Sequence, residues 1–368
     1  CNTSMDELIK LFLWWKVVIV VVMLLSSLVT VPYNESSRIT ISRPSFLYPF
    51  VSWDGLYFYG IAVNIGYRFE KHYAFLPLYP LLSRIVVGFG NPTIGLLIVS
   101  NCAHALSAYM LYKLTLLVFK DEKKAKTACR LFIVNQASVQ MTSAYSESLC
   151  ACLCFAGFYF YYTKRPLVCA LLWMLAGLTR SNAITLAGFF IYSILFQKRS
   201  RRQLLYAVIT VSGFAYYLYT AYCRFCKGNN PPEWCSSVIP NVYSYVQRKY
   251  WDVGFLKYYT VNQIPNFVLA VPLTVLLLKG IYRQVKGDPI GFVTFSRRDP
   301  LAPHYYHLLF MIVYTWLFCH VQIINRLFTF MPVVYWIAAE ICPDGNLYLF
   351  GLYSILNACL FANFYPPA

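Results

Sequence analysis

Apolar residues fall along this chain in long blocks, and polar residues collect in the short stretches between them. The first block, "LFLWWKVVIVVVMLLSSLV" (Leu11–Val29), is long enough to cross a bilayer, which takes about 17–25 residues of helix. It lacks a small-x-small exit and reads as a retained span, not a cleavable signal. Further blocks predict helical spans near 92–118, 127–143, 147–162, 167–179, 183–197, 203–222, 264–282, 304–324, 327–341 and 347–364. The pattern predicts an all-α polytopic membrane protein of about 10–11 transmembrane helices, with one or two of the shorter segments re-entrant. The chain reads as a single membrane domain over 1–368, without a fixed-period repeat.

The polar stretches assign sides. Short basic runs at "KDEKKAK" (Lys120–Lys126), "TKR" (Thr163–Arg165), "QKRSRR" (Gln197–Arg202) and "FSRR" (Phe295–Arg298) mark cytosolic loops, where Lys and Arg hold a loop inside. The other side then receives a long first loop (31–91), a turn at Ser143–Glu147, the turn "TRSNA" (Thr179–Ala183), a second long loop (224–263) and "HVQIINR" (His320–Arg326). Within the first loop, Leu56–Ile65 and Phe75–Val87 are aromatic and aliphatic and are broken by Gly66, Pro77 and Pro80. They predict short helices lying at the membrane surface, a ledge suited to a substrate dissolved in lipid.

Composition agrees. The 368 residues are 59% hydrophobic and 12% charged, whereas a soluble domain carries roughly a quarter charged residues. The net charge of +17 raises nucleic acid as a partner, but much of it sits in the runs between spans and serves topology instead. Most of the 13 cysteines lie inside apolar blocks, as in "LCACLCF" (Leu149–Phe155), where cysteine behaves as a small hydrophobe. Cys226 and Cys235 bracket the loop "CKGNNPPEWC"; a bridge between them depends on an oxidising compartment and on geometry that sequence leaves open.

The 14 carboxylates narrow the chemistry. On the outer side stand Glu35, Asp54, Glu70, Glu147, Glu233 and Asp252. No D-x-D, H-E-x-x-H, G-x-S-x-G or P-loop pattern occurs, so the sequence carries no motif for a metal, a cofactor or NTP-driven work. Asp54 stands out in "VSWDGLYFYGI" (Val51–Ile61), next to Trp53 and ahead of a run of aromatics. Arg180 and Arg326 each sit beside Asn or Gln at a span end, in "GLTRSNAI" and "HVQIINRLF", where they could meet an anionic group.

The stretch "SWDGLYFYGIAVNIGYRFEKHYAFLPLYPLL" (Ser52–Leu82) resembles the first lumenal loop of the PIG-V family, GPI mannosyltransferase II of the endoplasmic reticulum. In order along the chain, "NQASVQMTSAYSESLCACLCFAG" (Asn135–Gly157), "GLTRSNAI" (Gly177–Ile184), Pro231–Pro272, "CHVQIINRLF" (Cys319–Phe328) and "NFYPP" are similar to further segments of that family. Gln136 and Ala183 depart from its usual proline and glycine.

The resemblance implies a GT-C-type bundle whose lumenal loops bear short interfacial helices, in the membrane of the endoplasmic reticulum. It implies transfer of mannose from dolichyl-phosphate mannose to a mono-mannosylated GPI-anchor precursor, forming the second, α-1,6-linked mannose. Inversion at the anomeric carbon with a phosphate leaving group needs one general base and no acid. Asp54 is the candidate base, and Arg180 and Arg326 the candidate phosphate partners. Trp53, His72, Asn182, His320 and Gln322 are candidates for donor and acceptor contacts, and Glu147 for acceptor positioning. A different acceptor, a sugar-lipid transporter and dependence on an accessory membrane subunit stay open at this point.

Overall fold

The computed structural model describes residues 2–41, 44–197, 200–228, 230–295, 299–342 and 347–366. Lys198, Arg199, Arg297 and Arg298 of the basic runs lie outside these residues. The described residues form helices joined by turns, with no strand among them. The helices used below are α1 (Asn2–Val29), α2 (Asp54–Asn64), α3 (Leu78–Val87), α4 (Pro92–Phe119), α5 (Glu122–Ile133), α6 (Glu147–Tyr162), α7 (Pro166–Gly177), α8 (Ala187–Leu195), α9 (Arg202–Phe225), α10 (Val242–Trp251), α11 (Ile264–Gly287), α12 (Ala302–Phe318), α13 (Pro332–Ile341) and α14 (Leu347–Ala362).

Among the described residues, four helices are long and apolar enough to cross a membrane unaided: Met5–Val29, Pro92–Phe119, Arg202–Phe225 and Val261–Gly287. A fifth span is formed if the pair Val321–Phe330 and Pro332–Ile341 counts as one, although it bends by 101°. Most of the remaining apolar blocks fold as shorter helices, such as Pro166–Gly177 and Leu347–Ala362, so fewer of the eleven expected segments than predicted can cross a membrane on their own. Small residues let several of them approach closely. A Cβ on Gly213 of α9 would lie 2.7 Å from the Met174 carbonyl of α7, so that crossing requires glycine.

The largest departure from the expected pattern lies at 127–143. Helix α5 stops at Ile133, and residues 134–146 run as buried turns, not as a span followed by an exposed turn. Irregular backbone at membrane depth needs hydrogen-bond partners from the protein itself. Here Asn135 accepts from Ala137 N (2.6 Å), and Ser354 of α14 donates to the Asn135 carbonyl (2.6 Å). From α1, Trp15 donates to Ser138 Oγ (3.0 Å), and Lys16 Nζ donates to the Met141 carbonyl (2.8 Å) and Thr142 Oγ1 (3.0 Å). Asn101 of α4 donates to the Thr142 carbonyl (3.0 Å). Lys16→Met should therefore lower the thermal unfolding midpoint of the detergent-solubilised protein, for a loss of about 1–3 kcal/mol from the two hydrogen bonds it removes. An unchanged midpoint would remove this role from Lys16.

The two long loops, packed on α9, build a second apolar core beside the helical bundle, with Val51, Phe58, Phe75, Tyr79, Trp234 and Val242 from the loops and Tyr217 from α9. Phe75, stacked on Tyr57 of its own loop with ring centroids 4.6 Å apart, joins the loops by meeting Trp251 of α10 edge-on at 5.7 Å. At their rim Lys249 pairs with Glu70 at 2.9 Å. Cys226 and Cys235 are bonded, with a Cα–Cα distance of 5.5 Å, which ties the end of α9 to the segment leading into α10.

Candidate active site

The aspartate singled out by the sequence is the first residue of α2, and its placement is over-determined. Trp53, immediately before it, has φ 55° and ψ −121°, a left-handed conformation that costs a tryptophan on the order of 1–3 kcal/mol. Two contacts hold the turn there. The indole packs against Phe364, with centroids 5.4 Å apart. The Asp54 amide donates to the Tyr145 hydroxyl (3.0 Å), which in turn donates to the Ser52 carbonyl (3.3 Å). Tyr145 belongs to the buried segment 134–146, so that segment fixes where the carboxylate points.

Three further charges converge on Asp54 from separate parts of the chain. Arg326 lies in the short helical turn Ile324–Leu327, within the first half of the kinked pair, and its Nη1 lies 2.8 Å from Asp54 Oδ2. The same nitrogen lies 3.4 Å from Oε1 of Glu147, the first residue of α6. Arg180, in extended backbone beyond the end of α7, places its Nη1 2.6 Å from that same oxygen. The Glu147 side chain is fully buried, whereas those of Asp54, Arg180 and Arg326 are 24%, 19% and 22% exposed. Two carboxylates and two guanidiniums thus balance in number. The Arg326 guanidinium also sits 5.7 Å from the centre of the Tyr145 ring.

Asp54, Arg180 and Arg326 line a cavity of about 730 Å³. Its polar wall comes from α10 and its N-cap, with Asn241, Ser244, Gln247, Arg248 and Trp251, and from the turn with Ser181 and Asn182. Its apolar wall comes from α12, with Phe310, Tyr314 and Phe318. A space bounded in this way can take an amphipathic molecule, with its charged group at the arginines and its apolar part along α12.

A family model described as Mannosyltransferase (PIG-V) matches residues 5–368. This chain belongs to that family.

Among similar proteins, GPI mannosyltransferase 2 of Schizosaccharomyces pombe is 31% identical over 351 residues, covering 86% of this chain and 73% of the relative. GPI mannosyltransferase 2 of Yarrowia lipolytica is 30% identical, with 94% of each chain covered. GPI alpha-1,6-mannosyltransferase 2 of Mus musculus is 30% identical over 79% of this chain and 73% of its own. The crystal structure of the Archaeoglobus fulgidus oligosaccharyltransferase, tethered to an acceptor peptide, superposes with a TM-score of 0.50 at 15% identity. It covers 95% of this chain, which spans 55% of that structure's length, and the likeness is one of fold: the GT-C type.

Not every candidate of this PIG-V family chain reaches the cavity. Asn182 lines it and donates to the Leu327 carbonyl (3.4 Å), linking the Arg180 turn to the Arg326 turn. His320 lines it as well, bonded through Nε2 to the Trp251 carbonyl (2.8 Å) and stacked on Tyr258 at 4.4 Å. Trp53, His72 and Gln322 are not among the lining residues. Trp53 serves the turn instead, and Glu147 touches the two arginines from behind the cavity surface. Sequence reasoning missed Tyr145, whose part depends wholly on tertiary contact. It also missed the α10 wall, although Asn241, Ser244, Gln247, Arg248 and Trp251 recur at helical spacing and could have been found from that periodicity.

His72 is 6% exposed and lies edge-on to Phe69 and Tyr57, at 5.3 and 6.1 Å. Burial, and then the neighbouring Lys71, push its pKa below the ordinary histidine value. The fold thus favours the neutral ring, while the unfolded chain takes up a proton near pH 6.5. The stability this provides is present above about pH 6.5 and is lost as pH falls below it. Acidification from pH 7 to 5 should lower the unfolding midpoint of the wild type more than that of His72→Phe. Parallel pH slopes would sink the assignment.

Proposed function

We propose that this cavity is the active site of a mannosyltransferase of the endoplasmic reticulum membrane, open to the lumenal side. In this reading mannose moves from dolichyl-phosphate mannose to a mono-mannosylated GPI-anchor precursor and becomes its second, α-1,6-linked mannose. The observation that carries the reading is the meeting of Asp54, Glu147, Arg180 and Arg326 over one half-apolar cavity. The names of the relatives from S. pombe and M. musculus support the acceptor and the linkage.

The chemistry assigns a part to each group. The acceptor hydroxyl gives its proton to the Asp54 carboxylate as its oxygen attacks the anomeric carbon from the face opposite the phosphate. The bond from that carbon to the phosphate oxygen breaks, and the electron pair leaves on dolichyl phosphate. That anion is stable without protonation, so the site needs cations and not a second acid. Arg180 and Arg326 supply them, each with a planar fork matched to phosphate oxygens. Purified protein should convert labelled dolichyl-phosphate mannose and mono-mannosylated precursor to the di-mannosylated product. Donor turnover without that product, or movement of the lipid without covalent change, would overturn the reading.

A further inference from the structure

The four charged side chains at the cavity floor are engaged with one another, and one guanidinium nitrogen serves two of them. Arg326 Nη1 lies 2.8 Å from Asp54 Oδ2 and 3.4 Å from Glu147 Oε1. Arg180 holds that same Glu147 oxygen at 2.6 Å, while Glu147 Oε2 has no hydrogen-bond partner among the described residues. A fully buried carboxylate stays where its counter-charges are, because separating them in a low dielectric is costly. Glu147 is therefore the fixed anchor of both arginines. Asp54 is the replaceable partner, since it is a quarter exposed and faces the cavity.

In this pair one oxygen of the aspartate, Oδ2, is taken up by the guanidinium. A phosphodiester entering the cavity offers Arg326 an anionic acceptor with geometry suited to a bidentate contact. We propose that Asp54 and the phosphate of the lipid-linked donor compete for Arg326, so that the base is released only when the donor is in place. This rests on the transferase reading above and adds a gate to it. With the donor absent, Arg326 holds the carboxylate. With the donor bound, Arg326 turns to the phosphate, Glu147 keeps both arginines at the floor, and Asp54 is free to accept the acceptor's proton. Glu147 is thus a positioning residue that acts through the arginines and touches no substrate.

The test is a double-mutant cycle read by binding of dolichyl phosphate, which carries the donor's phosphate without its sugar. Wild type, Asp54→Asn, Arg326→Gln and the double variant are compared as purified full-length protein. Asp54→Asn should tighten dolichyl phosphate binding about tenfold, because a neutral amide competes for Arg326 more weakly than a carboxylate does. In the Arg326→Gln background the same change should alter binding by less than about twofold. Unchanged or weaker binding in the single variant overturns the gate. Tightening that persists in the Arg326→Gln background also overturns it, because the effect is then plain repulsion between Asp54 and phosphate. Should Asp54→Asn not yield folded protein, Asp54→Ala carries the same cycle. Mannose transfer by the wild type, measured on the same preparation, reports separately on the transferase reading. Coupled binding without transfer sinks that reading, and the gate with it, leaving only a competition between Asp54 and phosphate for Arg326; transfer with uncoupled binding sinks the gate alone.

Discussion

Asp54→Asn is expected to reduce mannose transfer by at least about 10²-fold, the usual contribution of a positioned general base, at unchanged protein level and membrane insertion. The amide keeps the size of the carboxyl and an oxygen for Arg326 Nη1, which now lies 2.8 Å from Asp54 Oδ2. The backbone contacts that fix the turn also remain: the Asp54 amide on Tyr145 and Trp53 against Phe364. Loss of activity would then trace to the lost proton acceptor and not to a collapsed loop. Transfer of label from dolichyl-phosphate mannose, with thermal unfolding run in parallel, separates the two. Activity within about tenfold of wild type would take the base role from Asp54.

Arg326→Ala should act mainly on the donor. Removing one partner of a hydrogen-bonded, desolvated charge pair costs about 2–5 kcal/mol, which corresponds to a rise of roughly 30-fold or more in the apparent KM for dolichyl-phosphate mannose. Arg326→Lys should restore part of that loss, since it returns the charge without the planar fork. An apparent KM at the wild-type value in the alanine variant would refute the assignment. Glu147 keeps Arg180 at 2.6 Å in either variant, so the floor retains one ion pair.

How much of this was legible beforehand depends on the kind of information each residue carries. Asp54 could be read because a carboxylate flanked by Trp53 and a run of aromatics is an anomaly of composition. Arg180 and Arg326 could be read because each stands beside Asn or Gln at the end of an apolar block. Their meeting could not, since it depends on tertiary packing that brings the start of α6, the turn beyond α7 and the helical turn Ile324–Leu327 to one point. The family resemblance pointed to a GT-C-type bundle, and the family match and the shared fold agree with it. Hydropathy misread 127–143 as a span for a definite reason. "FIVNQASVQMTSA" is apolar enough in a window average, but its Asn, Ser and Thr side chains bond to nearby backbone and compete with the helix. His72 carried no signal to tell a packed histidine from a ligand.

The hydrogen bonds that Lys16 sends to Met141 and Thr142 also set an order of events during synthesis. The first helix reaches the membrane more than a hundred residues before its partners exist, with an ammonium in its apolar stretch. Until that later segment arrives, Lys16 must be solvated near a membrane surface or held by the insertion machinery. The Asn135 carbonyl waits longer still, for Ser354, and Ser26 of the first helix pairs with Asn363 beyond the last. Tyr145, and through it the turn at Asp54, can therefore settle only once α14 has joined the bundle. On the transferase reading, the Asp54 turn is complete only after α14 has packed, and a substitution in α1 or α14 is expected to lower activity without touching the cavity.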